Sequence, residues 1–304
     1  MTIFTALTQD SNLVFHPDAN GHNQLSRLGV SPDNKWIFVN GTSFSTPLVA
    51  GCCAIIRRAL RLKLIRWRFP ATLVKAILVN GAVDMSVNRQ SRGPAIRAAP
   101  SNTQGFGRVD LTKSLLCIND TDRGGFYPKG DVTPLMANSS QKVPVPMPSF
   151  ANDPGFKGLP VKLQPVLKVT LCYADPPGAL DSPALLNVLH LKVVASDKTF
   201  RYGNTNTTIP DSNNNVQKVV WPNIPPGDAE IWIECASLDA GSLVAGQKWS
   251  VAWYVETRAP SDNKLQYLLD NTIYGGRKAV MVGVGLIAVA TAAAASRMSA
   301  QTDE

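Results

Sequence analysis

An α/β segment followed by an all-β sandwich of the jelly-roll kind is the fold class that this 304-residue sequence predicts. Three observations carry the prediction. Residues 36–116 mix a short apolar run with apolar residues at helical spacing. Half of the 22 prolines fall between Pro128 and Pro183, which excludes long helices there. Beyond that stretch, apolar residues alternate with a period of two between turn-forming clusters.

Taken in order, the chain opens on a strand-like stretch, Ile3 to Leu7, and a second apolar run, Trp36 to Val39, ends at Asn40-Gly41. A long helical pattern begins near Ser43. Its early face is built from Ala50, Gly51, Cys52, Cys53 and Ala54, small residues that let a helix lie close to a sheet or another helix. Arg57, Arg58, Arg61, Lys63, Arg66 and Arg68 follow. They read either as a contact for phosphate or an anionic membrane or, more plainly, as the solvated end of a helix whose cations complement its dipole. Pro70 suits the first turn of a second helix, in which Leu73, Ile77 and Leu78 recur at helical spacing until Asn80-Gly81 stops it. A basic loop, residues 88–100, precedes Gly105-Phe106-Gly107-Arg108-Val109-Asp110 and a short helix from Leu111 to Cys117.

The strands come next. Leu167, Val169, Leu171 and Tyr173 share one face, and so do Leu189, Leu191 and Val193. Ile231 and Ile233 flank Trp232, and Trp249, Val251, Trp253 and Val255 repeat the pattern. Short strands between Asp-Pro-Pro-Gly, Asn-rich and Pro-Pro-Gly turns make the jelly-roll sandwich. Its tryptophans, Trp221, Trp232, Trp249 and Trp253, read as core.

Composition bounds the rest. Hydrophobic residues at 44% and charged residues at 17% describe a folded chain. The formal charge of +8 comes with no nucleic-acid motif, so no nucleic-acid partner is expected. Five cysteines are scattered, with no CxxC and no Cys/His cluster, so no zinc site is expected. Cys172 and Cys235 lie in strand-like runs and are read as a pair or, with slight preference, as buried thiols. Sequons stand at Asn40, Asn119, Asn138 and Asn206. The first ten residues carry no basic and long apolar regions of a signal peptide. Residues 279–296 carry no charge and lie between Arg277-Lys278 and Arg297. As a helix they would reach about 27 Å, borderline for a bilayer. They are read as a membrane anchor or as a loosely packed helix.

The segment that carries chemistry is Gly41-Thr42-Ser43-Phe44-Ser45-Thr46-Pro47-Leu48-Val49-Ala50-Gly51. A serine in the first turn of a helix meets free backbone N–H groups and the positive end of the dipole, and its own N–H can help bind an oxyanion. Gly41 lets a peptide carbonyl approach closely. Pro47 is placed in the first turn, where its missing N–H removes no helical bond. The plainer reading is an N-cap, a position that Ser and Thr favour.

The whole string resembles the catalytic-serine signature of the subtilisin family, G-T-S-x-[AS]-T-P followed by a small-residue helix. By that resemblance Ser43 is the nucleophile with its backbone N–H in the oxyanion hole, supported by Gly41, Thr42 and Pro47. Pro70 to Ala82 is similar to the family's next helix, P-x-x-x-[KR]-x-x-L with N-x-A. Gln104 to Asp110 is similar to the G-x-G-x-[VI]-[DN] turn that closes such domains. Taken alone, Gly105 and Gly107 lack the third glycine and preceding strand of a phosphate loop, and a structural turn is expected. Some relatives append a jelly-roll sandwich. Residues 167–176, 185–194 and 214–219 resemble three of its stretches.

The resemblance implies residues 1–118 as the C-terminal portion of a subtilisin-like peptidase domain, with helices on a parallel sheet. It makes 119–257 the jelly-roll sandwich, and 258–304 a tail containing the apolar segment 279–296. A protein or peptide substrate is implied, and secretion is the family habit. Val188 and His190 stand where the sandwich pattern has two aspartates, which can serve a calcium ion in relatives. Valine and histidine do not suit calcium, so no cofactor or metal is expected, and His190 is read as a surface residue.

In the family the triad runs Asp, His, Ser, and the carboxylate and base lie far upstream of the serine. Only His16 and His22 precede Ser43 here, and neither matches H-G-T-x-V-A-G. The chain is therefore expected to begin after the Asp and His motifs and to be inactive alone as a serine endopeptidase. The alternative is a non-catalytic binding or structural module, a truncated or decayed homologue.

Overall fold

The computed structural model describes residues 2–6, 36–64, 68–86, 97–148, 164–179, 185–205 and 207–258. The chain divides into two compact units, Met1–Ile55 and Ile56–Glu304.

In the first unit, β1 (Thr2–Ala6) pairs with β2 (Trp36–Asn40). The pair is antiparallel, in a register that runs from Thr2↔Asn40 to Ala6↔Trp36. The parallel arrangement expected for this part is thus corrected for the described strands. An apolar run marks a strand, but the path of the connection sets its partner's direction.

Gly41 ends β2 with φ +149°, in the region that favours glycine. Helix α1 (Thr42–Leu64) starts on the next residue. The helix contains Pro47 in its second turn, not its first. The missing N–H of Pro47 would have served the carbonyl four residues earlier, that of Ser43.

Along α1, Ile56 and Leu60, one turn apart, are fully buried, whereas Leu48, Ile55 and Leu62 are exposed. Ala50, Gly51 and Ala54 are exposed too, and Cys52 and Cys53 are half-buried. The small residues permit close approach but do not themselves supply a neighbour, so the expected packing close to a sheet or another helix is not seen for Ala50, Gly51 and Ala54. Arg57, Arg58, Arg61 and Lys63 are exposed. Arg61 and Lys63 lie in the last turn, where cations complement the dipole.

The second unit contains α2 (Ala71–Asn80) and α3 (Leu111–Asn119). Pro70 is the extended N-cap of α2, one residue ahead of its first turn. Leu73, Val74, Ala76, Ile77 and Asn80 form the buried face of α2. Asp110 caps α3, its carboxylate accepting from the Lys113 N–H at 3.0 Å.

Eight strands follow: β3 (Gly124–Tyr127), β4 (Ser140–Val145), β5 (Gln164–Tyr173), β6 (Val188–Val194), β7 (Phe200–Tyr202), β8 (Val216–Pro222), β9 (Ala229–Ser237) and β10 (Trp249–Arg258). They form two four-stranded sheets, in the orders β3-β10-β5-β8 and β4-β9-β6-β7. Every pairing in them is antiparallel.

The faces expected from the period-two pattern meet in one core. Leu167, Val169, Leu171 and Tyr173 of β5 and Trp249, Val251, Trp253 and Val255 of β10 pack with Leu189, Leu191 and Val193 of β6 and Ile231 and Ile233 of β9. The first sheet is covered on its other face as well. Helix α2 lies against β5 and β10, and the Thr72 and Ser250 hydroxyls are 2.8 Å apart. Of the four tryptophans read as core, Trp221, Trp249 and Trp253 are buried. Trp232 is not; it lies on the outer face of β9, half-buried, under the Lys142 ammonium at 3.8 Å from the ring centre.

All five cysteines are unpaired. Cys235 belongs to the sandwich core, whereas Cys172 sits on the face of β5 away from it.

Candidate functional site

The Ser43 segment is built by an abrupt change of backbone direction. Because Gly41 adopts a conformation that side chains resist, β2 turns into α1 within one residue. The Gly41 carbonyl accepts from the Phe44 N–H at 3.2 Å and the Ser45 N–H at 3.3 Å, closing the first turn. The Ser45 hydroxyl donates to the same carbonyl at 3.3 Å, and the Thr46 hydroxyl donates to the Thr42 carbonyl at 3.0 Å. Those two hydroxyls are used by the helix itself.

Ser43 is different. It is the second residue of α1 and its side chain is exposed. No described residue hydrogen-bonds its hydroxyl. Thr42 and Pro47 are exposed beside it. The Thr42 and Ser43 N–H groups precede the first hydrogen bonds of the helix, at the end where the dipole favours a developing negative charge. Chemically, the arrangement presents a hydroxyl to solvent next to amide donors.

Downstream, the glycine pair behaves as a structural turn. The backbone of Arg108 pairs with that of Val83, N–H to carbonyl in both directions at 2.8 and 2.9 Å. Gly107 has φ +109°, and a Cβ there would fall 2.3 Å from the Val83 carbonyl oxygen. Gln104 links the same two segments. Its amide donates to Asp84 Oδ1 at 2.8 Å, and its oxygen accepts from the Met85 N–H at 2.9 Å. Burial alone would raise the Asp84 pKa, but hydrogen bonds from the Ser86 and Ala99 backbones and from Gln104 lower it.

Residues 12–107 match the subtilase family. The match takes in Ser43 and the glycine turn and covers less than half of the chain. It is a match to serine proteases, hydrolases of peptide bonds. No curated protein matches the chain.

Within the subtilase-matched segment, His16 and His22 lie outside the described residues, as does the apolar stretch 279–296 beyond it. The one described histidine, His190, is half-buried on the outer face of β6. Its Nε2 is 3.1 Å from the Ser212 hydroxyl. Burial lowers its pKa, against the opposing pull of Glu234 and Asp211. Val188 sits at an irregularity between β6 and β9. Among the described residues, no group of three or more His, Cys, Asp or Glu side chains is placed to hold a metal ion. No described helix is long and apolar enough to cross a membrane.

The sequence reading missed the polar groups that join helix α2, within the subtilase-matched segment, and helix α3 to the sandwich. Asn80 donates to Cys117 Sγ at 3.2 Å and accepts from the Thr170 hydroxyl at 3.1 Å. Glu256 on β10 binds Lys113 of α3 at 2.8 Å and Lys168 of β5 at 2.5 Å. The only available signal was charge at positions that alternate with core residues in β5 and β10. A charge on such a face ordinarily reads as solvated.

Proposed function

We propose that the matched segment is the nucleophile-bearing part of a subtilisin-like serine endopeptidase, with Ser43 as the nucleophile. The observation that carries this reading is the exposed Ser43 hydroxyl at the start of α1, inside the family match and following Gly41. In that chemistry Ser43 Oγ attacks a peptide carbonyl carbon, and its proton passes to a histidine base. The amine leaves with a proton from that base, and water then cleaves the acyl ester. The Ser43 backbone N–H would sit against the oxyanion. Gly41 gives the substrate carbonyl room, while Thr42 and Pro47 shape the turn. A protein or peptide is the substrate class, and the chemistry calls for no cofactor.

A second reading is a non-catalytic module. It is favoured by the sequence ahead of Ser43, where neither His16 nor His22 stands in the family's histidine motif H-G-T-x-V-A-G. We therefore expect the chain alone to be inactive as a peptidase. The strand orders β3-β10-β5-β8 and β4-β9-β6-β7 support reading the sandwich as a jelly roll. A limit at 118 would rest on the change from helices to strands between Asn119 and Gly124, and one at 257 on the end of β10 at Arg258, although α2, α3 and both sheets belong to one compact unit.

A fluorophosphonate probe applied to the folded chain separates the readings. Labelling at Ser43 that vanishes in Ser43→Ala supports a working nucleophile. Folded, unlabelled protein supports the non-catalytic module.

A further inference from the structure

One buried group serves neither the proposed peptidase chemistry nor the apolar core. Lys218, on β8, is only 6% exposed. Its Nζ donates to the Val79 carbonyl at 2.8 Å and to the Ala82 carbonyl at 3.3 Å. Both carbonyls stand at the C-terminal end of α2, where the helix dipole is negative. The backbone N–H of Lys218 is fixed in turn by Asn204 Oδ1 at 3.0 Å.

The ionisable groups facing Lys218 come from three elements. They are Lys168 on β5, Glu256 on β10, and Lys113 and Cys117 on α3. Helix α2 brings carbonyls rather than charge, since its one charged side chain, Lys75, is exposed. The cluster therefore holds three cations against one carboxylate when Lys218 is protonated, and two against one when it is neutral. Burial above all, and then Lys168, lower the Lys218 pKa to about 7, against the opposing pull of Glu256. The Cys117 thiol, pushed up by burial to about 11, is neutral in that range. A neutral amine still has two N–H groups, enough for both carbonyls. Deprotonation thus removes a buried charge and keeps the hydrogen bonds.

We propose that Lys218 is a pH-sensitive latch between α2 and the sandwich: the neutral amine fastens the end of the helix to β8, and protonation loosens that docking. Freed into water, Lys218 would regain an ordinary pKa of about 10.4. The undocked form therefore binds more protons between about pH 7 and pH 10, and docking tightens as pH rises through that window. Between pH 6 and pH 8 the opening of α2 should become about tenfold rarer.

Hydrogen exchange of the full chain tests this, with α2 amides compared with those of β6 and corrected for intrinsic rates. The wild type should show the tenfold change in α2 and none in β6. Lys218→Met should keep β6 protected and lose the pH dependence of α2. A flat α2 profile in the wild type, or an undiminished one in Lys218→Met, overturns the latch. Should Lys218→Met fail to fold, Lys168→Met decides. Removing that neighbouring cation must move the α2 profile to higher pH, and an unmoved profile counts against the proposal.

Discussion

Lys113 and Lys168 hold the two oxygens of Glu256 separately, at 2.8 and 2.5 Å, beneath α3 and within the first sheet. Burial alone would raise the Glu256 pKa, but the two ammonium groups outweigh it and hold the carboxyl well below the usual range. Replacing it with glutamine leaves two half-buried cations without their anion, and Glu256→Gln should destabilise the chain by about 3 kcal/mol in urea unfolding. The pH sign follows from the depressed pKa. The stability that Glu256 supplies is complete above its unfolded value, about 4.3, and drains away as pH falls below it. The urea midpoint of the wild type should drop between pH 5 and pH 3, and Glu256→Gln should flatten that drop. Gly107 is a second single-residue control point. Alanine there meets the Val83 carbonyl at 2.3 Å with φ at +109°, so Gly107→Ala should cost about 2 kcal/mol or more in thermal unfolding. A cost near zero would show that the turn relaxes freely.

At the scale of elements, α2 is tied down by polar groups as well as apolar ones. Asn80→Ala deprives the buried Thr170 hydroxyl of its acceptor and should lower stability by about 2 kcal/mol, measured by urea midpoint. Helix α1 gives the opposite expectation at its start. Ser43 is exposed, so Ser43→Ala should change stability by no more than about 0.5 kcal/mol. A larger loss would mean that the serine is structural. Much of this level was legible beforehand. The core faces of β5, β6, β9 and β10 follow from alternation, and α2 and α3 from helical spacing and their flanking residues. Pro47 was misplaced by one turn because α1 begins at Thr42, directly after Gly41. Trp232 was misassigned because an aromatic residue between two core isoleucines must face the other way, a consequence of the same alternation.

For the whole molecule, the division at Ile55 and Ile56 places α2, α3 and both sheets in one unit. A chain beginning at Ile56 should therefore keep the far-ultraviolet signature of the sandwich and unfold cooperatively. Loss of the cooperative transition would show that residues 1–55 are needed to fold the rest. The sequence by itself determined the Ser43 motif, the helix positions and the inward faces of β5, β6, β9 and β10. Each rests on local periodicity or on a contiguous string of residues. Only the tertiary structure decided that β1 and β2 run antiparallel, that Ala50, Gly51 and Ala54 of α1 are exposed, that Lys218 is buried, and that Lys168 and Glu256 meet half-buried. Strand direction and the burial of a charge depend on residues far apart in the chain, and one-dimensional spacing carries no record of which distant groups meet.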